Sequence, residues 1–244
     1  MGDHVYLMSS LEDTRGILGE FLSEIKDSAG TIEDVVFAFS GAENWRKRVL
    51  PTYKSNRKGT RKPLAYNATR LWIEQTYPTI CEPGLEADDL MGIYASRPGY
   101  AIWTADKDLL QCPGTHLIDD AMVEITKAAG DRFHYQQVLT GDPTDGYQGC
   151  PGVGAKAAEE FLDAPYIAVP TERVLKTGKR AGETQLIWNR EPTEDIWAGI
   201  VSLYAKAGLT EADALVQARV SRILRDGEYD FETKRVKLWK PRLA

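Results

Sequence analysis

Cysteine and histidine are scarce in this 244-residue chain, with three of each. Cys81, Cys112 and Cys150 are widely spaced and form no Cys-x-x-Cys, so the sequence offers neither a disulfide framework nor a cysteine-based zinc site. A reducing cytoplasm is the compartment that fits this usage. Long apolar runs are missing too: nothing approaches the roughly 20 residues of a membrane-spanning helix. The opening MGDHVYLMSS has neither the basic segment nor the apolar stretch of a secretory signal. An excess of positive charge is also lacking, the formal net charge being -6. Taken as a sum, that argues weakly against a polyanionic partner. A hydrophobic content of 43% and a charged content of 27% are ordinary for a globular protein. The length suffices for one large domain or a domain with an appended lobe.

The distribution of charge says more than its sum. Residues 44–62, NWRKRVLPTYKSNRKGTRK, hold eight Lys or Arg and no acid, whereas 82–89 hold four acids and no base. Separate patches of this kind can hold a polyanion in one place and cations in another. Helical spacing of Ile17, Leu18, Phe21, Leu22 and Ile25 predicts a helix over 11–28. DVVFAF at 34–39 and YAIWTA at 100–105 read as buried, parallel-type strands, and THLID at 115–119 as a third. The basic stretch reads as an exposed arch. Residues 64–76 read as a helix facing the core through Leu71 and Trp72, LEADDLMGIYAS as a helix after the Pro83-Gly84 turn, and 133–139 as a short helix. Glycine-rich 141–162 turns helical, 165–192 is polar and irregular, and helices are expected near 193–207 and 211–225, with a short strand near 235–239. Strands alternating with helices, then helices alone, indicate an α/β sheet domain over 1–130 and a helical part over 131–244.

Three acidic groups stand at loop or strand-end positions: Glu86, Asp88 and Asp89; Asp106 and Asp108; and Asp142 and Asp145. Each has a plain structural explanation. First-turn acids complement a helix dipole, DKD is common in turns, and GDPTDG has turn composition. On an ideal helix Glu86 and Asp89 share a face while Asp88 points elsewhere. Together the seven are harder to dismiss, because such a concentration of carboxylates is prohibitive without cations. Oxygen donors without His or Cys suit Mg²⁺ or Mn²⁺, and a pair of such ions is a device for in-line attack on a phosphodiester. Lys54 and Arg57 lie three apart, as on one helical face, and their alternative is a solvated basic surface. GCPGVGAK, 149–156, is a glycine run entering a helix. It is not a Walker A loop, but its helix-start amides beside Lys156 would suit a DNA phosphate.

In this order and spacing GLEADDLMG, TADKDLLQ and GDPTDGYQGCPGVGAKAAEEFL, with VVFAFSGAENWRKRVLPTYKSNRK before them, resemble the 5′ nuclease (flap endonuclease-like) family. The likeness is greatest to the 5′–3′ exonucleases of short-tailed, podovirus-type phages, which share DGYQG where most members have Asp-Asn, the LKTGKRAGE insertion and the C-terminal AKAGLTEADALVQARVSRILRDGEYDF. The resemblance implies a PIN-like parallel-sheet domain with a basic arch near 43–63 and a helix–three-turn–helix element near 141–162. It implies Mg²⁺-dependent hydrolysis from the 5′ ends of duplex DNA, with RNA–DNA hybrids as a further substrate and phage DNA replication or processing as the setting. Two ions are implied, with Mn²⁺ able to substitute. Glu86, Asp88 and Asp106 are similar to ligands of the first, and Asp106, Asp108, Asp142 and Asp145 to those around the second. Asp89 matches an acid near the metals. Lys54 and Arg57 correspond to arch residues acting on the scissile phosphate, and Tyr53 to one that stacks on a base. Arg46 joins the DNA-binding set, with Gly149, Gly152, Gly154 and Lys156 as the duplex grip and K⁺ as a companion of the 149–154 turn. Two departures stand out: Asp3 is near, but not securely at, the position of a first-strand acid, and Ser40-Gly41 replace an acid after DVVFAF. Either the native chain starts further upstream or Asp3 substitutes for the missing ligand. The alternative from another class is a DNA-binding protein of the same fold with impaired catalysis. A Mg²⁺ phosphatase would leave the basic arch unexplained.

Overall fold

The computed structural model describes residues 11–29, 32–57, 59, 65–119 and 121–241. Asp3 and the rest of the first ten residues lie outside that set, as does part of the basic arch. The chain forms two compact units. Among the described residues one comprises those of 11–45, 57–127 and 223–235, and the other those of 46–56, 128–222 and 236–241. The units change over between Lys127 and Ala128, with 46–56 belonging to the second unit and 223–235 to the first.

In the first unit, β1 (Phe37–Phe39) pairs in parallel with β2 (Thr79–Cys81), and β3 (Ala101–Trp103) in parallel with β4 (Gly114–Ile118). The chain then doubles back as β5 (Ala121–Ile125), antiparallel to β4. The helices are α1 (Leu11–Ala29), α3 (Tyr66–Thr76) and α4 (Ala87–Ala95). The apolar centre is Ala95, Ile102, Leu109, Cys112 and Ile223, with Leu90 and Ile93 of α4 buried as well. Residues 223–224 lie directly on α4 because position 92 is glycine. A Cβ there would stand 2.5 Å from the Leu224 carbonyl oxygen and 2.8 Å from Cys112 Sγ. Two expectations are corrected. The core-facing residue of α3 is Ile73, 8% exposed, whereas Leu71 is 55% exposed. DVVFAF yields only a three-residue, half-buried strand, which pairs on one side alone among the described residues.

The second unit contains the short α2 (Arg46–Val49), with α5 (Lys127–Thr140), α6 (Ala155–Asp163), α7 (Ile196–Lys206) and α8 (Glu211–Ser221). Its core joins Val138, Leu139, Phe161, Ile200, Tyr204 and Ala218. The Tyr204 hydroxyl donates to the Val138 carbonyl at 2.6 Å. The expected irregular segment 165–192 is instead a regular antiparallel hairpin, β6 (Tyr166–Val174) with β7 (Thr184–Pro192). Its outer half is exposed on both faces, so it lacks the apolar–polar alternation that marks a half-buried strand. The helix predicted over 133–139 extends back to Lys127. No helix among the described residues is long and apolar enough to cross a membrane.

His116 is buried on β4, its Nε2 2.8 Å from the Cys112 carbonyl. Burial first of all lowers its pKa from the ordinary 6.5. A group whose folded pKa is depressed loses stability as pH falls through the unfolded value toward the folded one. The stability advantage of wild type over His116→Gln is therefore expected to be largest at pH 7 and above, and to shrink as pH falls below about 6.5. Thermal unfolding of both proteins across that range measures it.

Candidate active site

In the first unit the chain reverses after β1, where Gly41 N–H donates to the Leu85 carbonyl at 2.8 Å and Trp45 N–H to Gly84 at 2.9 Å. A Cβ on Gly41 would lie 2.4 Å from the Glu82 carbonyl oxygen, so this close approach requires glycine. Ser40 stands where the resemblance expects an acid. Its Oγ accepts the Ala87 N–H at 3.0 Å, which caps an orphan amide of α4. Glu86 is the N-cap residue of α4, and half-buried Asp88 lies in its first turn.

Asp89 differs from its neighbours, being wholly buried. Its Oδ2 accepts the Trp45 indole N–H at 3.0 Å and the Glu86 backbone N–H at 3.2 Å, and its Oδ1 accepts the Leu224 N–H at 3.2 Å. Asp89 thus ties together three chain segments, each of its oxygens accepting from a protein donor. Trp45, half of that arrangement, carries no local sequence signal.

Asp106 follows β3 and caps the 3-10 turn Lys107–Gln111. Its Oδ1 accepts the Asp108 N–H at 2.9 Å, and its own N–H donates to Thr104 Oγ1 at 3.0 Å. Exposed Asp106 and half-buried Asp108 thus emerge at the carboxyl end of a parallel strand, where open α/β sheets bind ligands.

In the second unit Asp142 and Asp145 belong to one turn. Asp142 Oδ1 accepts the Thr144 N–H at 2.7 Å, and Gly146 takes φ +78°. That left-handed conformation is one that glycine adopts without a Cβ penalty. Asn56 Nδ2 donates to the carbonyls of Pro143 at 3.0 Å and Thr144 at 3.2 Å, an anchor that sequence reading missed. Asp145 Oδ2 accepts from the Tyr53 hydroxyl at 2.8 Å and lies 3.4 Å from Lys54 Nζ. Tyr53 is 2% exposed and packs with Tyr147 and Val220, so it orients Asp145 here and has no open face for a base. Arg46, expected on DNA, is also buried, with Nε donating to Val220 O at 2.9 Å and a terminal nitrogen to Arg222 O at 2.6 Å.

Lys54 is one of the few non-glycine residues with positive φ, at +53°, and its N–H donates to the Asp145 carbonyl. This conformation costs roughly 1–2 kcal/mol for an L-residue with a Cβ. It also means that Lys54 and exposed Arg57 do not share one continuous helical turn. Gly149 (φ +67°) is buried, with its N–H on Gln217 Oε1 at 3.0 Å, while exposed Gly152 has φ +80° and Gly154 is the N-cap residue of α6. Lys156 is exposed near Glu160, at 3.9 Å. Burial pushes the Cys150 thiol up to about 11, so it is protonated and inert at neutral pH. Among the described residues no three His, Cys, Asp or Glu groups stand close enough to hold an ion. Each acidic stretch is a partial set of hard oxygen donors.

The family model described as "5′-3′ exonuclease, N-terminal resolvase-like domain" matches residues 11–140. The chain is 40% identical to the exodeoxyribonuclease of Enterobacteria phage T3 over 234 residues, covering 90% of this chain and 77% of that protein. It is 37% identical to the exonuclease of Escherichia phage T7, covering 98% and 83%. Among solved structures, the zinc-bound T5 5′-exonuclease is similar with a TM-score of 0.51, at 16% identity and over 84% of each chain, which supports the α/β fold. The chain belongs to the 5′–3′ exonuclease family.

Proposed function

We propose that the protein is a divalent-cation-dependent exonuclease that hydrolyses duplex DNA from its 5′ ends, with RNA–DNA hybrids as a second substrate. The observation that carries this reading is the emergence of Asp106 and Asp108 at a parallel-strand end, in a chain of this family. Glu86, Asp88, Asp106 and Asp108 of the first unit, and Asp142 and Asp145 of the second, are the oxygen donors for the cations. Their hardness selects Mg²⁺, or Mn²⁺ in its place. A bound cation supplies Lewis acidity and charge neutralisation at the scissile phosphate.

The chain's own groups position and neutralise. Lys54 presents a fixed ammonium, held by its strained backbone and by Asp145, and with Arg57 it offsets charge that grows on the phosphate. Tyr53 keeps Asp145 oriented through its hydroxyl. Gly152, Gly154 and Lys156 at the start of α6 present amides and an exposed cation to duplex backbone, and K⁺ would serve the Gly149–Gly154 turn as a further counter-charge. One observation favours a different reading, binding without turnover: Ser40 occupies an acid's place and is engaged in capping α4.

Release of nucleotides from a 5′-labelled duplex separates the two. Wild type is expected to degrade it with Mg²⁺ and not with EDTA. Asp106→Ala and Lys54→Ala should each slow release by about 100-fold or more at unchanged folding. Near-normal rates in either variant would overturn the assignment, and duplex binding without Mg²⁺-dependent release would establish the non-catalytic reading.

Asp89→Ala should act differently from these two. It strands the Trp45 and Leu224 donors, which predicts a loss of about 3 kcal/mol in unfolding free energy. Chemical denaturation measures it, and a variant as stable as wild type would contradict the structural role.

A further inference from the structure

The β6–β7 hairpin has no part in the site described above. Its nine-residue strands pair from Tyr166↔Pro192 to Val174↔Thr184, a length of about 30 Å at strand rise. Only the base is fastened. Ala168 is buried, its N–H donates to Ser202 Oγ at 2.8 Å, and Tyr166 and Trp188 pack on the core of the second unit. Beyond Trp188 the same face carries Leu186 and Val174, each 55% exposed, and among the described residues no strand pairs with either edge. An isolated two-stranded ribbon is marginal in water, and exposed edges and apolar residues are liabilities. The outer half therefore contributes little to the fold.

The tip is built, however. Leu175 N–H donates to Glu183 O at 2.9 Å, Gly182 N–H to Leu175 O at 2.8 Å, and Ala181 N–H to Gly178 O at 3.1 Å, with Gly178 and Gly182 both at positive φ. From Arg173 to Gly182 the chain holds four bases, Arg173, Lys176, Lys179 and Arg180, and no acid, in a protein whose net charge is -6. All four are exposed. Arg180 pairs with Glu183 at 2.6 Å, while Arg173, Lys176 and Lys179 have no acidic partner among the described residues. A rigid turn concentrating positive charge at the end of an otherwise unsupported arm is matched to a polyanion with regularly spaced charges.

We propose that the β6–β7 hairpin is a duplex-DNA-binding arm whose Lys176 and Lys179 contact backbone phosphates. The arm rests on the nucleic-acid reading above and adds to it a grip apart from the arch and from the Gly149–Lys156 element. Contacts of this kind are blind to sequence and release counterions. Each adds about 0.9 to the slope of log affinity against log salt.

The test uses the full chain and the double variant Lys176→Ser, Lys179→Ser, which leaves the backbone bonds of the turn intact. Binding to a fluorescent 30-base-pair duplex in EDTA, titrated with KCl, gives the salt slope. Single-turnover release at saturating enzyme with Mg²⁺ gives the chemistry. The expected result is a slope shallower by about 1.8 and a weaker affinity, with the saturating rate unchanged. An unchanged slope in a wild type that binds DNA overturns the arm and leaves the nuclease reading standing. A reduced slope in a protein that never cleaves supports the arm and removes the nuclease reading. A wild type that binds no duplex overturns both.

Discussion

The buried carboxylate of Asp89 organises the first unit. It lies one residue from half-buried Asp88, and it accepts from the Trp45 indole, the Glu86 amide and the Leu224 amide. The entry to the basic arch, the start of α4 and the returning segment 223–235 thus converge on one pair of oxygens. Gly92 is the steric counterpart of this bond, since Leu224 could not reach Asp89 over any larger residue on α4. The placement of Glu86 and Asp88 at the head of α4 follows from it.

The acids accordingly separate into two kinds. Both oxygens of Asp89 accept from protein donors, whereas Asp106 is exposed, its Oδ1 accepting the Asp108 N–H and its own N–H donating to Thr104 Oγ1, in a cap that fixes where it stands. Asp145 is intermediate: Tyr53 and Lys54 orient a carboxylate that belongs to the same turn as Asp142. A similar division runs through the basic stretch. Arg46 and Tyr53 are internal braces, whereas Lys54 stands beside Asp145 and Arg57 is exposed, the two cations proposed to act on substrate.

Much of this was legible in the sequence where local physics decides the outcome. The turn at Pro83-Gly84, the acids at the start of α4, the DKD stretch after β3 and the glycine entry to α6 are all settled within a few residues, and they appear where spacing and turn chemistry predict. The roles of Arg46, Tyr53 and Asp89 were not legible, because their partners Val220, Asp145 and Leu224 lie about ninety or more residues away. The hairpin was missed for another reason. Strands that bury neither face over much of their length leave no periodic signal, and Lys, Thr and Gly at the tip resemble an ordinary loop.

The central claim is the proposal that Glu86, Asp88, Asp106, Asp108, Asp142 and Asp145, and not Asp89, hold the cations that the reaction uses. Ferrous iron with ascorbate, which cleaves backbone next to bound Fe²⁺, tests it most directly. The account predicts cuts clustered around residues 86–88, 106–108 and 142–145, all suppressed by excess Mg²⁺. Cuts confined to other segments, or indifferent to Mg²⁺, would contradict it.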